Sequence, residues 1–185
     1  QPKGTVAVYP EKIGYVEYID MVKLGSLLSN DPRHVYLVAQ PGCFIHPSMP
    51  VLYLSSGQES SICTDLLETI IVSDVRSFAQ DPRFCLSVMA EIACRALSPA
   101  VNDPGTAIDV IGRGVRILSA YVQNKSDETE VTYPSIHVAP LQNRELLEDF
   151  FLPIARDGAG MSEIQRRVLK GLSMLGSSWP HEFED

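Results

Sequence analysis

The sequence predicts an α+β fold in which a small N-terminal β-rich lobe, barrel- or sandwich-like in character, is followed by a helical bundle. Three observations predict it. Short runs of β-branched and aromatic residues crowd the first sixty positions, apolar residues recur at helical spacing from about Ser60 onward, and each change of pattern is fenced by Pro, Gly, Asn or Asp. The expected division is residues 1–58 for the β-rich lobe and 59–185 for the helical lobe.

Four strands are read from Val6-Ala7-Val8-Tyr9, Tyr15-Val16-Glu17-Tyr18-Ile19, His34-Val35-Tyr36-Leu37-Val38 and Val51-Leu52-Tyr53-Leu54. Between the second and third, Asp20 is placed to cap a short helix from Met21 to Ser29, because Met21, Leu24, Leu27 and Leu28 fall on one face. Asn30-Asp31-Pro32 ends it. The segment PGCFIHPSMPVLYL, from Pro41 to Leu54, reads as a turn, a brief strand, a proline-rich turn and another strand.

The helical half begins with Ser60 to Val72, where Ile62, Leu66, Leu67, Ile70 and Ile71 share one side and predict a single helix. Asp81-Pro82 opens the strongest helix: Asp is a favoured N-cap, Pro at the first helical position forfeits no hydrogen bond, and Phe84, Val88, Ile92 and Leu97 form a stripe. Pro99 stops that helix near Ser98, since the residue before a proline is pushed out of helical geometry. Asn102-Asp103-Pro104 repeats the opening, and Ala107, Ile108, Ile111, Val115, Leu118 and Val122 carry the next stripe. A polar surface loop is expected over Gln123 to Thr132, then a strand at Ile136-His137-Val138. Asn143 is expected to cap a helix reaching about Arg156, kinked or broken by Pro153 and stopped by Gly158 and Gly160. Ser162 and Gln165 have capping-box spacing for a last helix, striped by Ile164, Val168, Leu172 and Leu175.

Bulk composition narrows the function classes. With 15 basic and 23 acidic residues the chain carries a formal charge of -8, which argues against nucleic acid or anionic lipid as a partner. The densest basic spot, Arg166, Arg167 and Lys170, reads as a solvated helix face. Four cysteines, Cys43, Cys63, Cys85 and Cys94, show no CxxC spacing and read as buried reduced thiols, which suits a reducing compartment. His34, His46, His137 and His181 are scattered, so no metal site is expected, and no phosphate loop, dinucleotide fingerprint, nucleophile elbow or zinc-protease motif calls for a cofactor. Gly112-Arg113-Gly114 lies within a helical pattern and reads as close helix packing. No apolar run is long enough to span a bilayer, and no signal-peptide pattern of basic start, apolar run and small-residue cleavage site is seen. The start QPKG, without methionine, suggests a piece of a longer protein.

One polar constellation stands out. Arg76, Asp81, Arg83, Arg95, Ser98, Asn102, Asp103, Thr106 and Asp109 all fall at or near helix ends. A wholly structural reading exists: Asp103 caps a helix by accepting the N–H of Gly105 or Thr106, and Arg95 complements the preceding helix dipole. The functional reading makes the same groups a ligand or partner site.

The string RALSPAVNDPGTA, from Arg95 to Ala107, resembles the pattern RALSPxxNDPxTA of the predicted integral membrane proteins grouped as domain of unknown function 2254. RSFAQDPRF (Arg76 to Phe84), GYVEYID (Gly14 to Asp20), PGCFIHPSMPVL and DFFLPIARDGAG are similar to further segments of that family, in the same order. The chain departs from the pattern at Cys43, where Asp is common, at Ser48, where Gly is common, and at Gly105, where an aromatic is usual. The resemblance implies transmembrane helices preceding this region in the whole protein, hence a cell-membrane location; an even number of those helices after an N-terminus inside would place this part on the cytoplasmic side. It transfers no activity, and Arg95, Ser98, Asn102, Asp103 and Thr106 are carried over as candidates. PGCFIHPSMPVL also looks like the turn-strand pattern of biotinyl- and lipoyl-carrier domains, without the lysine that would attach a cofactor.

Two functions follow as expectations. The first is a non-catalytic regulatory or assembly domain of a channel- or transporter-like protein, partnered by the transmembrane part of the same polypeptide and by other copies of itself. The alternative is a hydrolase-like enzyme at the Arg95–Asp109 corner, with Asp103 or Asp109 as base and Arg95 as an anion clamp. The lack of a nucleophile and base at suitable spacing weighs against the enzyme.

Overall fold

Val6–Val8 (β1), Gly14–Ile19 (β2), Val35–Leu37 (β3), Phe44–Ile45 (β4) and Leu52–Leu54 (β5) are the strands of the first part of the chain, and Met21–Leu28 (α1) is the helix among them. The computed structural model describes residues 4–56, 60–124 and 131–183. Then come Ser60–Leu67 (α2), Ile70–Ser73 (β6), Pro82–Leu97 (α3), Pro104–Gln123 (α4), Ile136–Val138 (β7), Asn143–Asp157 (α5), Ser162–Ser178 (α6) and Pro180–Phe183 (α7). The fold is α+β, as the alternation of patterns predicts.

The chain divides into two compact units, Gln1–Asp81 with Thr129–Pro140, and Pro82–Glu128 with Leu141–Asp185. The division falls after Asp81, not near residue 58 where the residue pattern changes. Pairing decides it: β6 and β7 form ladders with strands of the first unit, so segments 70–73 and 136–138 belong there despite helical neighbours in sequence.

In the first unit, one sheet has the order β1-β5-β3-β7, antiparallel except for β3 with β7, and a second has the order β4-β2-β6. Inward residues of both sheets join α1 and α2 in one core, which includes Val16, Leu24, Leu52, Leu54 and Leu66, each 0% exposed. Burial of each such side chain contributes about 1.5–3 kcal/mol, the main stabilising term. Asp20 caps α1 as expected, accepting the Lys23 N–H at 2.8 Å.

The expected helix from Ser60 to Val72 ends early. It stops at Leu67, Thr69 turns the chain by donating N–H and Oγ1 to the Leu66 carbonyl, and Ile70–Ser73 runs as a strand. Its residues are β-branched or small, and pairing with β2 places Ile70 opposite Ile19. Helical spacing and strand alternation both fit so short a run, and the vacant edge of β2 settles the choice.

In the second unit, α3 packs on α4 and α5, and α4 packs on α6. The core-facing stripe of α3 is Leu86, Ala90, Ala93 and Leu97, not Phe84, Val88 and Ile92. Ile92 is exposed, because the alanine face lets neighbouring helices approach more closely than larger side chains would. On α4 the buried face is Ala107, Val110, Ile111, Gly114, Leu118 and Val122, with Ile108 and Val115 at its margin. A Cβ on Gly114 would overlap the Phe150 ring, so the glycine pair in this helix marks close helix packing at its second member.

Three terminal details differ from expectation. Asn143 is the first residue of α5 rather than its cap: its Nδ2 donates to the Glu182 backbone carbonyl at 2.9 Å and to the Glu182 carboxylate at 2.6 Å, tying α5 to α7. Pro153 does not end α5, which runs on to Asp157 and stops at Gly158. Met161 occupies the N-cap of α6, while Gln165 donates instead to the carbonyls of Ala155 and Gly158 at 2.9 and 3.1 Å. The expected polar loop lies partly in residues 125–130, outside the described residues.

Candidate functional site

The corner from Arg95 to Asp109 is built almost wholly from its own side chains. As α3 ends, Ser98 Oγ donates to the Arg95 carbonyl at 2.7 Å, and the N–H groups of Val101 and Asn102 donate to the Ser98 carbonyl at 3.0 and 2.8 Å. Asn102 then adopts the left-handed conformation with φ 47°, a region that Asn tolerates better than most residues, and the chain reverses. The Asp103 N–H donates back to the Ala96 carbonyl at 2.8 Å. The Asp103 carboxylate receives the Thr106 N–H at 3.1 Å and the Thr106 hydroxyl at 2.6 Å, starting α4 at Pro104. These bonds, the hydroxyl first, hold the Asp103 carboxyl below the usual carboxylate range. A carboxylate so stabilised is a weaker base than a free one.

Asp109 lies one turn further along and is bound by Arg113 at 2.7 Å in an exposed i,i+4 pair. Arg95 sits in the last turn of α3, exposed, where its charge complements the helix dipole. Among the described residues its guanidinium has no hydrogen-bond or ion-pair partner. The corner thus unites Ser98 with the Arg95 carbonyl and Asp103 with Thr106, and leaves the Arg95 guanidinium apart from both acids.

Arg76 and Asp81 belong to the other unit and hold a different junction together. Asp81 is 3% exposed, and one of its oxygens receives Arg76 Nε at 2.8 Å and Nη2 at 2.7 Å. Gly42, at φ 88°, presses its backbone on that carboxylate, and a Cβ at this position would overlap it. The Gly42 N–H donates to the Val16 carbonyl at 2.8 Å, and the Val16 N–H donates to the Cys43 carbonyl at 2.9 Å. Gln80 closes the other side, accepting the Ile19 N–H at 3.0 Å and donating to the Ile19 carbonyl at 3.3 Å. Three separate signature segments, GYVEYID, PGC and RSFAQDP, therefore interlock around β2. Arg83, in the helical unit, pairs with Asp149 at 2.6 Å and Glu145 at 3.2 Å.

Sequence reasoning missed three features. The outer face of the β4-β2-β6 sheet carries Phe44, Tyr15, Tyr18 and Ile71: Tyr15 is opposite Phe44, with rings edge to face at 5.1 Å, and Tyr18 is opposite Ile71. Phe44 is 53%, Ile71 46% and Tyr18 38% exposed. A register shift between Val16 and Tyr18 puts Tyr15 and Tyr18, three apart, on one face, so simple alternation does not reveal them. Second, His34 and His137 meet, with Nδ1 and Nε2 3.0 Å apart. Third, an open cleft of about 720 Å³ runs along the α3–α5 seam, with Ser87, Glu91, Cys94, Pro153 and Arg156 in its walls. Burial, then the Asp157 carboxylate it bonds, pushes the Cys94 thiol up to about 11. Asp157 is held low, chiefly by Arg156 and then by Cys94.

All four cysteines are free, but the expectation of buried thiols fails at Cys43, which the turn before β4 leaves exposed; the other three are partly buried. Arg166, Arg167 and Lys170 are exposed along α6. Among the described residues no group of three or more His, Cys, Asp or Glu is arranged to hold a metal ion, and no helix is long and apolar enough to cross a membrane.

Fold and surface together define an α+β region of a larger class, with signature residues spent on internal junctions and an aromatic sheet face turned outward. Residues 1–174 match the family described as "Predicted membrane protein (DUF2254)". The chain belongs to this family of predicted membrane proteins. It is similar to "Uncharacterized protein Mb1321c" of Mycobacterium bovis and to "Uncharacterized protein MT1328" and "Uncharacterized protein Rv1290c" of Mycobacterium tuberculosis, each 61% identical over 36 residues. Those residues are 20% of this chain and 7% of each relative, so the match spans a small part of proteins nearly three times as long. No solved structure matches the chain.

Proposed function

We propose that this chain is a non-catalytic regulatory or assembly domain of a channel- or transporter-like membrane protein, held on the cytoplasmic side against the transmembrane part of its own polypeptide. The observation that carries the reading is the outward row of Phe44, Tyr15, Tyr18 and Ile71 on the β4-β2-β6 sheet. Water solvates such a row poorly, and clustered exposed aromatics mark surfaces that bind protein. The greater length of the mycobacterial relatives supports a contact within one polypeptide as its occupant. Self-association through other surfaces is the second partner in this reading. The Arg95–Asp109 corner contributes rigidity, since Ser98, Asp103 and Thr106 bond within it.

Carbene footprinting of the 185-residue chain and of the full-length membrane-embedded protein tests this reading. Phe44, Tyr18 and Ile71 are expected to label in the isolated chain and to be protected severalfold in the full-length protein, with exposed Leu169 on α6 as a reference. Equal labelling of the sheet face in both would overturn the proposal.

A further inference from the structure

We infer that His34 and His137 form a proton-sensitive latch that fastens β7 to β3 within the β-rich unit and opens on acidification. β7 is a three-residue edge strand that pairs, among the described residues, with β3, in a segment that the chain inserts between α4 and α5. Its apolar anchorage is limited to Ile136, partly buried against the core, and the Tyr133 ring, which lies on Gly25 of α1; His137 and Val138 are exposed. Polar contacts add to that anchorage. The Val35 N–H donates to the Ser135 carbonyl at 2.9 Å, Gln40 Nε2 donates to the Ala139 carbonyl at 2.6 Å, and His34 Nδ1 meets His137 Nε2 at 3.0 Å. The two imidazole centroids are 5.2 Å apart, so the rings meet nitrogen to nitrogen, while the face of His137 lies on Tyr36 at 4.5 Å and 14°.

A pair of neutral rings keeps this bond, one nitrogen donating and the other accepting, and so does a pair that has gained one proton. A second added proton removes the last lone pair at the contact and sets two like charges at hydrogen-bond distance. Imidazole is the side chain whose charge changes between about pH 5 and pH 8. Acid therefore favours the released strand, in which the rings separate. Facing the pair across the sheet are the phenols of Tyr36 and Tyr53. Asp31 and Arg33, next in sequence, close on each other at 2.5 Å. Among the described residues no carboxylate hydrogen-bonds to either ring.

Amide hydrogen exchange on the 185-residue chain, read by NMR as protection factors, tests the latch. The Val35 amide reports on β7, because its acceptor lies in the β7 segment; the Val51 amide, which donates to the Val8 carbonyl, is the reference within the same unit. Protection of Val35 relative to Val51 is expected to fall at least about tenfold between about pH 8 and about pH 5. His137→Phe keeps a ring on Tyr36 and His34→Asn leaves that stack untouched; each is expected to make the ratio independent of pH, at whatever level it stands. A constant ratio in the wild-type chain, or a fall that persists in both variants, would overturn the inference.

Discussion

At the scale of single residues, backbone geometry ranks substitutions that composition would treat alike. Asn102 and Gly42 both have positive φ, but Asn102 lies on an exposed turn and Gly42 lies against a buried carboxylate. Asn102→Gly is expected to leave stability nearly unchanged, and Asn102→Val to cost about 1–2 kcal/mol, because a β-branched side chain resists the left-handed region. Gly42→Ala is expected to cost on the order of 2 kcal/mol or more, combining backbone strain with displacement of Asp81 from Arg76. Urea denaturation of the three variants checks this order. The NDP string announces a helix start in sequence, yet nothing in sequence distinguishes a glycine that serves a turn from one that makes room for Asp81.

At the scale of elements, helix interiors and ends carry the testable energetics. Gly114→Ala drives a methyl group into the Phe150 ring and is expected to destabilise by about 1–3 kcal/mol, whereas Gly112→Ala, which meets open space, is expected to stabilise slightly. Pro153 lies inside α5 without an N–H to donate, so Pro153→Ala is expected to raise stability by about 1–3 kcal/mol, read like the glycine variants by urea denaturation. Cys94 gives a pH signature. Its folded-state value of about 11 lies above the ordinary 9.0, so folding favours the neutral thiol. The associated stability is present below pH 9.0 and is lost as pH rises toward about 11. Thermal melts over that range should show a steeper alkaline decline for the wild-type chain than for Cys94→Ala. Asp157 works in the opposite direction: held below the carboxylate range, its contribution is present at neutral pH and fades in acid. Most helices here are legible in sequence, since an apolar stripe and a proline at the first position act locally. The face that α3 buries is not, because alanine wins over Ile92 only when a neighbouring helix is close enough to exclude the larger side chain.

At the scale of the whole molecule, the division of the chain follows strand pairing. A fragment of residues 1–58 lacks Leu66 and Ile70 from its core and β6 and β7 from its sheets. It is expected to show no cooperative thermal transition by circular dichroism, and the 185-residue chain is expected to unfold cooperatively. The sequence by itself determined the α+β class, the caps at Asp20 and Asp103, and membership in a family of predicted membrane proteins, through signals that lie within a few residues of one another. Only the tertiary structure decided that Ile70–Ser73 is a strand, that Asn143 reaches α7, that Tyr15, Tyr18 and Phe44 share an outer face, and that His34 meets His137 across 103 residues. Hydrophobic periodicity and capping are local properties of a chain; strand partners, register shifts and ring contacts depend on which distant segments arrive, and that is set by burial over the whole unit.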